Sequence, residues 1–336
     1  IPASLKAVGR AGAGTNNIPV AEMSKHGIPV FNAPGANANA VKELVVAGML
    51  LAARNLGEAL DFANRLGDRP DAEQAMEAEK KRFVGSELSG HVLGVVGLGA
   101  IGVKVANAAR ALGMTVFGFD PHMTVDGAWQ LSADVIKAGS LTELYAAADY
   151  ISFHVPLNDA TRGIYGDAAL AVSKHGVVLL NFARDGIIDP GALARGLAEG
   201  RIGRYVTDFP KPGLAGDQRV IALPHLGAST AEAEENCALM VVDQLRDFLE
   251  NGNISNAVNF PATRMARAGS HRICIANRNV PNMIGQISHV LGSAGLNIAQ
   301  MHNASRGDHA YTLVDVDSEV GSEVIEQLRA IDGVLS

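Results

Sequence analysis

Val92-Leu93-Gly94-Val95-Val96-Gly97-Leu98-Gly99-Ala100-Ile101-Gly102 is the stretch that decides the fold of this 336-residue chain. The apolar residues 92–96 read as a buried strand, and the G-x-G-x-x-G run after them reads as a turn opening a helix over 101–112. Each glycine has a task. Gly97 makes the tight turn, Gly99 lets backbone approach a pyrophosphate, and Gly102 lets helix and strand pack closely. The helix N-terminus, with Ala100 and Ile101 in its first turn, offers free N–H groups to the phosphates. A second strand, 115–119, ends at Asp120, where a carboxylate would bond the ribose hydroxyls and repel a 2′-phosphate. These residues together point to NAD rather than NADP.

Working outward, short apolar strands alternate with helices of about ten residues, with further strands at 150–154, 177–182, 205–208 and 220–223. Such alternation implies βαβ units and a mostly parallel, doubly wound α/β sheet of Rossmann type. On its N-terminal side the first forty residues read as βαβ material with a helix over 19–26. Apolar positions 41, 44, 45, 48, 51 and 52 recur at helical spacing, which predicts one long helix from 38 to 66. The charged stretch 68–82 reads as a solvated face. On its C-terminal side a second long helix is expected over 229–251, with Ser229 and Glu232 at capping-box spacing. Residues 251–270 lose periodicity, as a linker would. Beyond them strands at 272–276, 298–304 and 310–316 and helices at 282–294 and 322–330 give βαββα, with a further strand expected past Leu335.

Composition excludes several classes. Lys and Arg number 28 against 35 Asp and Glu, a net charge of −7, and no basic block could follow a nucleic acid or an anionic membrane. With 48% hydrophobic and 19% charged residues the chain is too apolar and too weakly charged for disorder. The longest apolar run, 44–53, is half of what a membrane-spanning helix needs. The two cysteines, Cys237 and Cys274, form no disulfide framework, and no metal-ligand spacing appears among them and the ten histidines. That cysteine usage points to a reducing compartment, and the cytoplasm is the expected one; no signal-peptide pattern is seen in the given sequence. The chain begins at Ile1 without Met and stops after Val334-Leu335, and both ends read as cut.

Three further segments carry a resemblance: Asn181-Phe182-Ala183-Arg184-Asp185-Gly186 at a strand end, Thr207-Asp208-Phe209-Pro210, and Pro224-His225-Leu226-Gly227-Ala228-Ser229-Thr230. In this order after a glycine loop they resemble the D-2-hydroxyacid dehydrogenases. Gly9-Arg10-Ala11-Gly12-Ala13-Gly14 and Asn32-Ala33-Pro34 resemble the substrate-domain loops of that family, and the tail from about 270 resembles an ACT module, the small βαββαβ domain that binds amino acids. The resemblance implies a discontinuous, flavodoxin-like and N-terminally truncated substrate domain (1–74 and 226–255), an NAD-binding Rossmann domain (75–225), a linker (256–270) and an ACT domain (271–336). It further implies NAD-dependent oxidation of 3-phospho-D-glycerate to 3-phosphohydroxypyruvate, the first step of L-serine biosynthesis, in a homo-oligomer, dimer or tetramer, with L-serine as the possible effector.

Oxidation of a 2-hydroxy acid needs a base near neutral pKa and a cation for the carboxylate. His225 suits the first role and Arg184 the second. By resemblance, His154-Val155-Pro156, Phe182-Ala183-Arg184, His225 and Gly227 border the cofactor, with Asp208 near the nicotinamide carboxamide. Arg10 to Gly14 face the substrate, and Arg10 or Lys42 is a candidate for its phosphate. Asn279 and Asn297 match effector positions, although Asn277 stands where that pattern often has histidine. The family's glutamate beside the histidine is absent: the chain reads Asp208-Phe209-Pro210-Lys211-Pro212, with Lys211 near its place. Asp208 or Asp217 could serve as the histidine's partner, proton transfer could be weaker, or the loop could pair differently. Two alternatives stay open, a glyoxylate or hydroxypyruvate reductase and a catalytically weak sensor of dinucleotide and amino acid.

Overall fold

The computed structural model describes residues 1–2, 4–214 and 216–336. The chain divides into two compact units, Ile1–Asn37 with Ala231–Ser336, and Ala38–Thr230. In chain order, the first unit opens with β1 (Val8–Gly9), α1 (Val20–Lys25) and β2 (Val30–Phe31), the two strands pairing in parallel.

The second unit begins with α2 (Ala38–Ala53), α3 (Leu56–Leu66) and α4 (Ala72–Glu79). The single helix expected over 38–66 is broken because Asn55 adopts the left-handed conformation at φ 51°. Asparagine tolerates that region better than most residues. The expected solvated face is present: α4 buries no residue. Next come β3 (Val92–Val96), α5 (Ala100–Ala111), β4 (Thr115–Phe119), α6 (Val125–Gln130), β5 (Ile136–Lys137), α7 (Leu141–Ala147), β6 (Tyr150–Phe153), α8 (Asp167–Val172), β7 (Val177–Asn181), α9 (Pro190–Ala198), β8 (Ile202–Thr207) and β9 (Val220–Ala222). The seven strands form one parallel sheet in the order β5-β4-β3-β6-β7-β8-β9. The order reverses between β3 and β6, the topological switch point at which doubly wound sheets bind ligands.

Strands β6 and β7 are buried along their whole length, as a sheet covered on both faces requires. One face packs Val41, Val45 and Met49 of α2 and Val103, Ala106 and Ala109 of α5 with Leu93, Val95 and Val206. The other gathers Leu144, Leu170, Leu193 and Leu197 from α7, α8 and α9 over Ile151, Leu179 and Ile202. Because the apolar stripe of α2 joins the first cluster, residues 38–74 fall in the unit of the nucleotide sheet, not with 1–37. Residues 226–230 also fall in that unit.

The first unit resumes with α10 (Ala231–Asn251), then β10 (His271–Arg278), α11 (Met283–Ser293), β11 (Ile298–Arg306), β12 (His309–Val316) and α12 (Ser322–Arg329). The last five elements make an antiparallel sheet of order β10-β12-β11, with Ile287, Leu291 and Leu328 of the two helices packed on Ile273, Val314 and Val316. Residues 333–336 already run beside β10: Arg278 N–H donates to the Gly333 carbonyl at 2.7 Å and Leu335 N–H to the Ala276 carbonyl at 2.8 Å. The stretch read as a linker is not loose. It buries Ile254, Phe260 and Met265 with Phe31, Tyr311 and Leu313. Its Asn259 accepts from Val30 N–H at 2.9 Å and donates to the Ile28 carbonyl at 2.9 Å. No described helix is long and apolar enough to cross a membrane.

Candidate active site

The glycine loop follows β3 at the switch point. Gly97 has φ +90°, and a Cβ there would sit 2.6 Å from the His154 carbonyl oxygen. A Cβ at Gly102 would collide with the Gly97 carbonyl oxygen, so α5 can start this close to the strand only with glycine there. At Gly99 the reverse holds. A Cβ would meet nothing within 4 Å, and Gly99 is the N-cap of α5 with no side-chain cap. The Ala100 and Ile101 end of the helix thus has no side-chain cap for its first-turn N–H groups, which fits an anionic diphosphate there.

Asp120 ties this loop down. Its carboxylate accepts from Leu98 N–H and His122 N–H, both at 2.8 Å, and each oxygen keeps a lone pair for a hydroxyl donor. Beside it opens a cavity of about 530 Å³, walled by Leu98, Phe119, Pro121, Met123, Leu131 and Val135, within the size range of ligand pockets. A second cavity of about 560 Å³, lined by Arg65, Arg82 and Arg204, shares no residue with this site.

After β6, His154 turns inward. Ser152 Oγ and His154 Nε2 lie 2.8 Å apart in a hydrogen bond, while His154 Nδ1 is buried with no partner. Burial pushes the imidazole pKa down to about 3, so the ring is neutral at physiological pH. Val155 packs against Gly97, and Leu157 lies against Gly186, so the 154–157 loop with Pro156 runs between the glycine loop and the end of β7.

At that end, buried Asn181 braces the turn by donating to the Arg184 carbonyl at 3.0 Å and accepting from Ala183 N–H at 3.2 Å. Phe182 is buried under Gly48 of α2. Arg184 is exposed, and its guanidinium donates to the Ala183 carbonyl at 2.7 Å. Among the described residues it has no ion pair, because the adjacent Asp185 is held by Lys211 at 2.8 Å. Thr207 joins the ends of β7 and β8 by donating to the Asn181 carbonyl at 3.0 Å and accepting from Phe209 N–H at 3.0 Å.

Next to it Asp208 is 1% exposed. One carboxylate oxygen accepts from Gly227 N–H at 3.0 Å; the other, Oδ1, is buried without a partner. Burial raises the Asp208 pKa, against the pull of the Gly227 N–H and of the His225 charge. The exposed His225 ring stands 5.0 Å from the Phe209 ring, edge to face. Asp217, the other carboxylate weighed as a partner for the histidine, is engaged by Arg219 through Nε at 3.0 Å and Nη2 at 2.8 Å.

The parallel sheet therefore gathers along one edge the expected glycine loop, Asp120, His154 to Pro156, Phe182 to Arg184, Asp208, His225 and Gly227. It does not gather the rest. Arg10, Ala11, Gly12, Ala13 and Gly14 follow β1 in the other unit, where Asn32 donates to the Ala13 carbonyl at 2.6 Å. Lys42, the alternative phosphate cation, pairs with Glu43 at 3.4 Å. Asn279 and Asn297 do not converge. Asn279 follows β10 at the His309 end of the small sheet and donates to the Gly307 carbonyl at 3.0 Å, whereas Asn297 precedes β11 at the Val316 end. At ~3.3 Å per residue the eight-residue strand between them separates the two by roughly 25 Å, so they could share a ligand only across two copies. Ser152 is not among the expected site residues, and Asn181 and Thr207 enter only as members of the quoted segments 181–186 and 207–210; each is a polar residue inside an apolar strand.

A family model described as the NAD-binding domain of D-isomer specific 2-hydroxyacid dehydrogenases matches residues 46–227. A D-3-phosphoglycerate dehydrogenase of Methanocaldococcus jannaschii is 38% identical over 79% of this chain and 49% of its own length, so the chain spans about half of that relative. One of Haemophilus influenzae is 32% identical over 98% of this chain and 80% of its own. Among solved structures, a glyoxylate reductase from Paecilomyes thermophila superposes with TM-score 0.64 at 32% identity, over 77% of this chain and 76% of that one. Half the chain under the family model, and a relative matched nearly end to end, give one result: this chain belongs to the D-isomer specific 2-hydroxyacid dehydrogenase family and carries its NAD-binding domain.

Proposed function

We propose that the chain oxidises 3-phospho-D-glycerate to 3-phosphohydroxypyruvate with NAD. One observation carries this reading: a guanidinium that forms no ion pair among the described residues, Arg184, and an imidazole, His225, stand on the same sheet edge as the glycine loop, whose helix has no side-chain cap. The names of the archaeal and Haemophilus relatives support the substrate. When bound, NAD supplies the hydride acceptor, held by Gly97 to Gly102 and Asp120. Arg184 grips the substrate carboxylate through two parallel N–H donors. His225 takes the proton of the C2 hydroxyl as negative charge develops on that oxygen, and in the reverse direction returns it. His154, being neutral, adds no charge beside the diphosphate and can offer Nδ1 to the cofactor.

The same reading makes residues 271–336 an ACT module in a cytoplasmic homo-oligomer, with L-serine as its effector and Asn279 and Asn297 of different copies as the ligands. A reductase of glyoxylate or hydroxypyruvate is the second reading, favoured by the likeness to the Paecilomyes enzyme.

The test follows NADH absorbance with 3-phosphoglycerate, and in the reverse direction with 3-phosphohydroxypyruvate, glyoxylate and hydroxypyruvate, each with and without L-serine. The expected result is the highest kcat/KM for the phosphorylated pair and a change on adding serine. Faster reduction of glyoxylate would move the assignment to the second reading, and no turnover with any of them would end both.

A further inference from the structure

We infer that Lys211 is a positioning residue of the site: by holding the Asp185 carboxylate it keeps the neighbouring Arg184 guanidinium open for the substrate. This rests on the carboxylate-gripping role proposed above for Arg184. Asp185 stands next to Arg184 in an exposed turn. A carboxylate there works against an anion site in either of two ways. It pairs with the guanidinium and takes the place of the substrate, or it stays unpaired and repels the substrate's own carboxylate. Lys211 removes both. Its Nζ lies 2.8 Å from Asp185 Oδ1, and among the described residues the Arg184 guanidinium is left with the Ala183 carbonyl as its one acceptor.

The sheet sets this pair up. The β7–β8 ladder ends with Asn181 opposite Thr207, and Asp185 and Lys211 each lie four residues further on. Both turns are fixed. Asn181 braces the first by donating to the Arg184 carbonyl at 3.0 Å, and Thr207 braces the second by accepting from Phe209 N–H at 3.0 Å. Lys211 itself sits between Pro210 and Pro212, whose rings fix φ and turn the residue before each toward extended backbone. Its carbonyl accepts from Leu214 N–H at 3.0 Å. The lysine backbone therefore has little freedom left to lose when the side chain reaches the carboxylate.

Other charges nearby do not replace it. Asp208, at the root of the same loop, is buried and meets Gly227 N–H at 3.0 Å. From the 156–163 loop, Arg162 brings Nη1 to 3.6 Å from the point that a Gly186 Cβ would occupy. Of the cations Arg162, Arg184 and Lys211, only Lys211 pairs with Asp185 among the described residues. The two guanidinium groups stay open to a substrate that carries both a carboxylate and a phosphate.

The experiment reads Arg184 directly in the full chain. Phenylglyoxal adds to a guanidinium in its uncharged form, so a carboxylate paired with that group slows the addition; the adduct is followed by peptide mass spectrometry, with Arg184→Lys marking the peptide. In Lys211→Met the modification of Arg184 is expected to slow about fivefold, the effect of one unit charge at about 4 Å in water. It is expected to recover when Asp185→Asn is added, and to stay at the wild-type rate in Lys211→Arg. An unmoved rate in Lys211→Met, or a slowed rate that Asp185→Asn does not restore, overturns the proposal. The two side chains are 36% and 57% exposed, so neither change opens a core; Lys211→Gln takes the place of Lys211→Met if the latter does not fold. In an active protein the KM for 3-phosphoglycerate rises with the same variant while kcat holds, and the difference from wild type narrows as salt is raised. A purely structural role for Lys211 would lower kcat and persist after Asp185→Asn. The two readings fail separately. A chain whose Arg184 slows and recovers as stated yet oxidises no hydroxy acid loses the proposed function and keeps Lys211 as the group that holds Asp185 off Arg184. An active chain whose Arg184 rate does not move keeps the function and loses Lys211.

Discussion

Two carboxylates in this molecule are both almost sealed from solvent, and the fold treats them oppositely. Asp315, on β12 of the small sheet, is saturated. Arg272 meets it through Nε at 2.6 Å and Nη2 at 2.8 Å, Ala268 N–H adds a third bond at 2.7 Å, and the remaining guanidinium nitrogen donates to the Asn251 and Met265 carbonyls. The side chains are 2% and 0% exposed, and the Arg272 bond holds the Asp315 carboxyl below the usual carboxylate range. Asp208 has one bond and one orphan oxygen, and burial pushes its carboxyl up. A structural ion pair is closed because leaving any member unpaired is unfavourable. A group intended for a ligand or a reacting neighbour must stay partly open, and the fold bears that penalty at the site. Saturation, more than burial, separates the two regions.

The harshest way to break the comparison is to open the closed pair. Asp315→Ala leaves the Arg272 charge buried and unpaired and takes the acceptor away from Ala268 N–H, while Arg272 keeps its bonds to the Asn251 and Met265 carbonyls. A loss of about 3–5 kcal/mol is expected for removing one partner of such a pair, read by urea denaturation followed through hydrogen exchange of the β10–β12 amides. Replacing both residues, Arg272→Met with Asp315→Leu, is expected to recover most of that loss, since no unpaired charge remains. If the single and double variants were equally unstable, the bonds to the 251–268 segment, rather than the stranded charge, would be what matters.

A milder break uses acid. The folded pKa of Asp315 is depressed, so its contribution to stability is present above the unfolded carboxylate value, near ~3.9, and is lost as pH falls through the lower folded value. The transition of the small sheet is therefore expected to weaken only in strong acid, below about pH 4. A midpoint of denaturation that already dropped between neutrality and pH 5 would mean that the pair is not held as tightly as its three bonds imply.

The same contrast explains what could be read from sequence. The glycine loop was legible because each of its constraints is local: the turn at Gly97, the collision at Gly102 and the open space at Gly99 all arise within six residues. The parallel sheet was legible because fully buried strands such as 177–181 are continuous apolar runs. Strand β5 was not read, since Ile136–Lys137 is two exposed residues with no period to detect. The break at Asn55 depends on one residue's φ, and Arg204, 149 positions away, bonds its side chain. The pairing of Lys211 with Asp185 was equally out of reach. Lys211 was legible as a cation near the histidine, but that it turns to a carboxylate on the neighbouring strand end is set by the register of β7 and β8. Likewise the order β10-β12-β11 places Asn279 and Asn297 at opposite ends, which a linear motif does not reveal.

The smallest expected effect sharpens the contrast from the open side. A carboxyl whose folded pKa is raised above the unfolded value adds nothing adverse below the unfolded value and costs stability as pH rises through the folded one. Asp208→Asn should therefore raise Tm slightly at neutral pH, because it replaces a buried charge with a neutral group that still accepts from Gly227 N–H. The gain should shrink toward zero as the pH is lowered past the ordinary carboxylate range, where wild-type Asp208 is protonated as well. That sign is opposite to the one expected for Asp315, whose substitution is costly at neutral pH. Differential scanning calorimetry of both proteins at matched ionic strength, from neutrality down to about pH 4, measures it. A neutral-pH Tm that fell in Asp208→Asn would mean that the charge stabilises the fold, and the two carboxylates would then be alike after all.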